Sequence, residues 1–243
     1  MIPVPQTAMV LAAGLGQRMR PLSLEKPKPL LEVDGRTMLD LVLDRLAEAG
    51  VKKAVVNTHY KAWMIESHLQ LRRDVKITFS REEELLDTGG GVKKALPHLG
   101  KLPIFVVNSD LPWQNGATPA LARLAAAFDE KKMDALLLLA KRENPRTRGF
   151  TNAEGDFFME DGGRLRRLGT NTPRPYVFIS AQIVKPEIFA RVPEKVFSTN
   201  QVWDEAERNG RLYGLAHDGA CYHVGTPADL VESNRLLREG GGW

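Results

Sequence analysis

A short apolar run that opens into a loop of glycines, cations and prolines constrains this chain more than any other stretch. Residues 8–13 have the composition of a buried strand, and Gly14-Leu15-Gly16-Gln17-Arg18-Met19-Arg20-Pro21-Leu22 follows directly. Glycine lets backbone come close to a ligand. Arg18, Arg20, Lys26 and Lys28 follow at once, so the loop suits an anion of several charges. It lacks the Gly-Lys-Ser/Thr of a Walker phosphate loop. It is no dinucleotide fingerprint either. Met19 stands where a third glycine or alanine is needed, and Asp34, the acidic residue downstream, lies in a Val-Asp-Gly-Arg turn. Pro21, Pro27 and Pro29 forbid a long helix here. The remaining reading is a polyphosphate loop of another kind.

Strands and helices alternate after it. Met38, Leu39, Val42, Leu43, Leu46 and Ala47 repeat at helical spacing, and Gly50 stops that helix. Residues 54–57, 75–79, 104–107 and 135–140 read as short buried strands. Trp63, Ile65 and Leu69 predict a helix, residues 91–96 another that Pro97 ends, and residues 117–128 a third. Further on, residues 155–169 predict a hairpin turning at Gly162-Gly163. Strands are expected at 176–180, 212–216 and 221–224, and helices at 185–189, 199–209 and 227–238, the last capped near Thr226. The tail 240–243 reads as loose. This order implies an α/β protein with a mostly parallel central sheet flanked by helices. Ligands in such folds sit at the carboxyl ends of strands. That places residues 14–20, His59, residues 87–91 and residues 108–110 on one rim.

The 243 residues fit a single domain, and 43% apolar with 26% charged residues is the balance of a soluble globule. One cysteine, Cys221, excludes an internal disulfide and fits a cytoplasmic protein. The net charge of +4 is mild, and no basic run with interleaved aromatics suggests nucleic acid. The clusters at 142–148 and 164–167 read as solvated faces. No signal peptide is expected at the N-terminus, and no apolar run approaches the ~20 residues of a membrane span. No internal repeat is found.

Two further constellations share the rim. Asp110 follows an apolar strand directly, so its carboxylate is a candidate Mg²⁺ ligand beside substrate phosphates. An Asx-turn or a helix cap is the structural alternative. Asp87-Thr88-Gly89-Gly90-Gly91 opens a helix. Its glycines would let backbone approach a base or sugar, and the helix start would offer free amides.

Together these residues resemble the sugar-1-phosphate nucleotidyltransferase family. The signature stands here as residues 11–22 and Pro27-Lys28-Pro29-Leu30, with Asn108-Ser109-Asp110, the Thr88 glycine segment and Val224-Gly225-Thr226. The resemblance implies a Rossmann-like nucleotidyltransferase fold, with a nucleotide-binding half over about 1–140 and a sugar-binding half over 141–243. It implies Mg²⁺-dependent transfer, with Mn²⁺ as a substitute, from a nucleoside triphosphate to a sugar 1-phosphate. Pyrophosphate would leave and an NDP-sugar would form. Carried over by motif, Ala12, Ala13, Gly14 and Gly16 would bind nucleotide, and Thr88, Gly89 and Gly90 would contact the base. Arg18 would grip the triphosphate, Lys28 would sit near the α-phosphate, Asn108 would meet substrate, and Asp110 would bind Mg²⁺. Within the family, residues 86–91 and the short length are most like uridylyltransferases acting on N-acetylmuramate 1-phosphate in peptidoglycan recycling. GTP with mannose 1-phosphate and dTTP with glucose 1-phosphate are the alternatives. A monomer or small homo-oligomer is expected, without the hexapeptide array of the long bifunctional forms.

One position departs from the pattern. Where the family usually has a second metal-binding aspartate, two residues before Gly225, this chain has His223. Imidazole is a poor Mg²⁺ ligand. Four readings stay open: a dispensable second carboxylate, a phosphate contact, a softer metal, or a structural histidine. Asp218 and Asp229 are too displaced to substitute. His59, His68 and His98 lack metal spacing, and Cys221 reads as packing. Trp113 is a pocket wall or a core residue, and Arg146 and Arg148, before Gly149-Phe150, meet the sugar or sit in an exposed loop. A nucleotide-sensing subunit without turnover is the rival of another class, and a nicotinamide-dependent oxidoreductase is more distant.

Overall fold

The computed structural model describes residues 3–148, 154–169 and 172–240. Seven strands form one sheet: β1 (Thr7–Leu11), β2 (Lys53–Thr58), β3 (Lys76–Arg81), β4 (Ile104–Asn108), β5 (Ala135–Lys141), β6 (Tyr176–Val184) and β7 (Leu212–Ala216). Their order is β3-β2-β1-β4-β6-β5-β7. Only β6 runs against its neighbours, pairing antiparallel with β4 and β5. The parallel strands are near-continuous apolar runs because helices cover both faces. β1 leads to β2 on one side and lies beside β4 on the other, so the order reverses around it. Register sets Leu11 level with both Asn57 and Asn108 at the carboxyl rim.

Among the described residues the longer helices complete the layers: α1 (Met38–Glu48), α2 (Ala62–Leu69), α3 (Asp87–Leu99), α4 (Ala120–Ala127), α5 (Thr199–Arg208) and α6 (Pro227–Gly240). On one face Leu39, Leu43, Ile65 and Leu124 pack over Val10, Val56, Phe105 and Leu138. On the other Val92, Ala95, Val202 and Trp203 pack over Met9, Val55, Val106 and Leu137. A third, smaller core joins Met19 of the first loop to Val33, Met38, Tyr222, Val224 and Leu237. α1 begins at Thr37, whose hydroxyl accepts from Asp40 N–H at 3.1 Å, and ends before Gly50 at φ 90°. α6 begins in the same way. Asp229 N–H donates to Thr226 Oγ1 at 3.2 Å, and Asp229 Oδ2 accepts from Gly225 and Thr226 N–H.

Four expectations are corrected. α3 starts at Asp87, not Gly91, and runs past Pro97 to Leu99, so the three glycines lie inside its first turns, all buried. Contacts with the 192–198 segment outweigh their poor helix propensity. β6 continues to Val184 because Ser180 adopts φ 68° and bulges the strand, hiding its alternation. Trp63 is 68% exposed, and Ile65 and Leu69, with the half-buried Met64, carry the core face of α2. α4 starts at Ala120, after Pro119. The expected hairpin is present as Phe158–Met159 against Leu165–Arg166, with Gly162 and Gly163 at positive φ. Residues 241–243 of the tail lie outside the described residues.

A methyl at Gly89 would land on the Phe197 ring and 2.9 Å from Phe197 O. Gly89→Ala is therefore expected to destabilise the fold by about 1–3 kcal/mol, despite its better helix propensity. Urea unfolding should show a lower midpoint at unchanged slope.

Candidate active site

The first loop is shaped by Gly16, which sits in the left-handed region at φ 60°. Its carbonyl accepts from Met19 N–H at 2.9 Å and closes a single helical turn, Gln17–Met19. Met19 enters the small core, which leaves Arg18 exposed. A Cβ at Gly16 would lie 3.1 Å from Lys28 Cβ, so glycine here lets the second half of the signature fold back on the first. Pro27 begins the next turn, and Lys28 is buried under the loop. Residues between the two halves rest on the β2–α2 connection: Tyr60 Oη donates to Ser23 O at 3.0 Å, and Lys61 Nζ donates to the carbonyls of Leu24 and Glu25.

These pieces enclose an open cleft of about 640 Å³ at the carboxyl rim. Ala12, Ala13, Gly14, Gly16, Arg18, Lys28, Thr88, Asn108 and Asp110 all line it. Asn57, Glu82, Asp87, Val196 and Gly225 join them. Gly89, Gly90 and His223 do not line it. The His223 ring lies behind Gly225, where a Cβ would come within 2.9 Å of Cε1.

Lys28 Nζ donates to Asp110 Oδ2 at 2.6 Å. The lysine side chain is 10% exposed and the carboxylate 37%, so the pair is rooted in the protein and opens to the cleft through Asp110. Ser109 holds the aspartate in place. Its N–H and its hydroxyl both donate to Leu11 O, at 3.1 and 2.7 Å, extending the β1–β4 pairing past the strand ends. Among the described residues no group of three or more His, Cys, Asp or Glu is arranged to hold a metal ion. Asp110 offers a hard oxygen donor to the cleft, which Glu82 and Asp87 also line. That fits Mg²⁺, which keeps waters and takes one or two carboxylates together with substrate phosphates.

The expectation of free amides at the start of α3 is corrected. Gly89 and Gly90 N–H both donate to Phe197 O, at 2.9 and 3.0 Å. Thr88 Oγ1 accepts from Thr199 N–H at 2.9 Å. Lys93 Nζ donates to the carbonyls of Val192, Pro193 and Glu194. The glycines therefore seat the 192–198 segment against α3, and that segment presents Val196 to the cleft.

Two residues passed over in the sequence stand at the centre of the site. Asn57 Oδ1 accepts from Ala12 N–H at 2.7 Å, and Asn57 Nδ2 donates to Glu82 Oε1 at 2.7 Å. Glu82 Oε2 accepts from Leu86 N–H at 3.1 Å. Asn57 carried a signal, an amide closing an apolar strand just as Asn108 does. Glu82, first of three consecutive glutamates, carried none.

Other candidates fall elsewhere. Trp113 is 1% exposed and bridges to Cys221, so it is core and not a pocket wall. His59 Nδ1 pairs with Glu82 O at 2.9 Å, and His68 pairs with Asp40. Burial pushes the His217 imidazole below its ordinary range. Arg146 and Arg148 have exposed side chains, and their carbonyls accept from Cys221 and His223 N–H. Gly149 and Phe150 lie outside the described residues.

A mostly parallel sheet with a glycine-rich, cation-bearing loop at its switch point and an aspartate beside that loop is the arrangement of a class of nucleotide-transferring enzymes. The nucleotidyl transferase family model matches residues 7–168, and the chain belongs to this family of sugar-1-phosphate nucleotidyltransferases. It is 42% identical over 240 residues to an N-acetylmuramate alpha-1-phosphate uridylyltransferase of Caulobacter vibrioides, covering 97% of this chain and 98% of that protein. A protein of the same name from Neisseria meningitidis serogroup B is 34% identical, covering 97% and 99%. Solved structures share the fold. A UDP-glucose pyrophosphorylase complexed with UDP-glucose aligns with a TM-score of 0.80 at 14% identity, covering 97% and 99%. HddC from Yersinia pseudotuberculosis aligns with a TM-score of 0.75 at 19% identity, covering 95% and 98%. No helix among the described residues is long and apolar enough to cross a membrane.

Burial pushes the Cys221 thiol up to about 12. The native protein is therefore expected to resist iodoacetamide at pH 8, because the thiolate is the reactive form. Mass spectrometry should find one label per chain only after unfolding in guanidinium.

Proposed function

We propose that the protein transfers a uridylyl group from UTP to N-acetylmuramate 1-phosphate, releasing pyrophosphate and forming the UDP-sugar. The observation that carries the transfer is the Lys28–Asp110 pair under the glycine loop, at the one rim where Ala12, Arg18 and Thr88 also converge. The choice of substrates rests on the Caulobacter and Neisseria relatives. We place the nucleotide in the half up to about residue 140 and the sugar in the half beyond it, with the enzyme working in the cytoplasm.

The reaction asks little proton chemistry of the protein. A phosphate monoester is largely dianionic at neutral pH. One of its oxygens attacks the α-phosphorus in line, the new P–O bond forms, and the bond from the α-phosphorus to the bridging oxygen breaks as pyrophosphate leaves. The protein positions the two anions and offsets their charge. Arg18 offers a planar fork to the triphosphate, and Lys28 a compact charge near the α-phosphate. Asp110 would hold Mg²⁺, whose charge would offset the charge developing at the α-phosphate. Backbone at Ala12, Ala13 and Gly14 packs against the nucleoside. In this reading His223 packs beside Gly225 and is not a ligand. That fits Mg²⁺, because imidazole is a poor partner for it.

Purified protein incubated with each nucleoside triphosphate, a panel of sugar 1-phosphates and Mg²⁺ or Mn²⁺ tests this by pyrophosphate release. UTP with N-acetylmuramate 1-phosphate is expected to be fastest. A preference for GTP with mannose 1-phosphate or dTTP with glucose 1-phosphate would overturn the substrate assignment. Nucleotide binding without release from any pair would favour a sensor. Asp110→Asn and Lys28→Ala should each lower kcat by about a hundredfold or more. Unchanged kcat in either would remove that residue from the reaction.

A further inference from the structure

We infer that Asn57 and Glu82 form a buried clip that sets the spacing of the two backbone segments bounding the nucleotide cleft. The inference rests on the family's reaction taking place in this cleft and adds two positioning residues to it. One end of the clip is the Ala12 amide, in the loop that lines the cleft from β1. The other end is the Leu86 amide, the residue before α3, whose Asp87 and Thr88 also line the cleft. Between them run three hydrogen bonds in series: Ala12 N–H to Asn57 Oδ1, Asn57 Nδ2–H to Glu82 Oε1, and Leu86 N–H to Glu82 Oε2.

Four observations make this a spacer and not ordinary core polarity. Asn57 is 3% and Glu82 6% exposed, so water cannot stand in for a lost partner. No ion pair to Glu82 is formed among the described residues, so its carboxylate is held by N–H donors and not by a cation. The direction of every bond is fixed. Ala12 and Leu86 bring only N–H groups, so Asn57 must turn its oxygen toward the loop and its nitrogen toward Glu82. Glu82 must then accept at both oxygens. Finally, a Cβ at Gly91 would come 2.8 Å from Asn57 Nδ2 and 2.9 Å from Glu82 Oε1. The third glycine of α3 is therefore where the helix makes room for the clip.

The bond directions give the clip a test that a general structural role would not pass. In Glu82→Gln the amide of Gln must face either Asn57 Nδ2 or Leu86 N–H with its own N–H₂, donor against donor. In Asn57→Asp a carboxylate oxygen faces Glu82 Oε1. Each single variant breaks one link. The double variant Asn57→Asp/Glu82→Gln restores all three with the middle bond reversed: Asp accepts from Ala12 N–H, Gln donates to Asp, and Gln oxygen accepts from Leu86 N–H. The readouts are KM for the nucleoside triphosphate, KM for the sugar 1-phosphate, kcat and the thermal midpoint, with UTP as probe. A buried hydrogen bond lost with its partner left unpaired costs about 1–3 kcal/mol. Each single variant should therefore raise KM for UTP about ten- to a hundredfold while KM for the sugar 1-phosphate moves less than about threefold. The double variant should return KM for UTP to within about threefold of wild type.

Gly91→Ala leaves both clip residues in place and adds a methyl against them. It should also raise KM for UTP, and it guards against single variants that fold poorly. A double variant no better than the worse single one, at a thermal midpoint near wild type, would overturn the inference. So would singles that bind UTP as wild type does. Wild-type protein that neither binds UTP nor releases pyrophosphate would instead refute the substrate assignment and leave the clip to be read with the triphosphate it does bind.

Discussion

The site depends first on where β1 stops. Parallel pairing on both sides sets Leu11 level with Asn57 and Asn108, so three connections leave the sheet at one height. From that line the loop after β1, the connection after β2 and the Asn108-Ser109-Asp110 segment can only converge. Ser109 fastens two of them by giving both its donors to Leu11 O. Asn57 fastens another pair through Ala12. Strand register thus does work usually credited to loops. It brings flexible connections to a common edge, where a few hydrogen bonds fix them.

Charge at this edge is arranged with economy. A buried lysine is costly unless paired, and Asp110 is its partner. The pair is asymmetric, because the lysine is enclosed and the carboxylate faces the cleft. The cation is thus already oriented, while the carboxylate keeps an exposed side. The family's second aspartate is replaced by His223, behind Gly225.

Much of this was legible in the sequence, and the remainder was hidden for physical reasons. Parallel strands are continuous apolar runs, so their places could be read, and the loop announced itself through Gly14, Gly16, Arg18 and the prolines. Convergence of the loop with Asp110 on one rim followed from strand order. The direct contact of Lys28 with Asp110, 82 residues apart, did not. Glycines 89–91 read as backbone open to a base or sugar because their reason for being glycine lies in Phe197, Lys195 and the Asn57–Glu82 pair, which are remote in sequence. Ser180 hid the true length of β6 because one left-handed residue breaks a period that pattern reading assumes is unbroken. Glu82 escaped notice because a glutamate among glutamates reads as surface, and only tertiary structure distinguishes the buried one.

The small third core has a consequence for timing. Met19 of the loop is packed with Tyr222, Val224 and Leu237, and Asp34 N–H donates to Asn234 Oδ1 across 200 residues. On a growing chain the first loop emerges well before the surface on which it packs. The shape of the first loop is thus tied to α6, and a nascent chain short of that helix would hold its motif complete in letters without part of the surface on which Met19 packs.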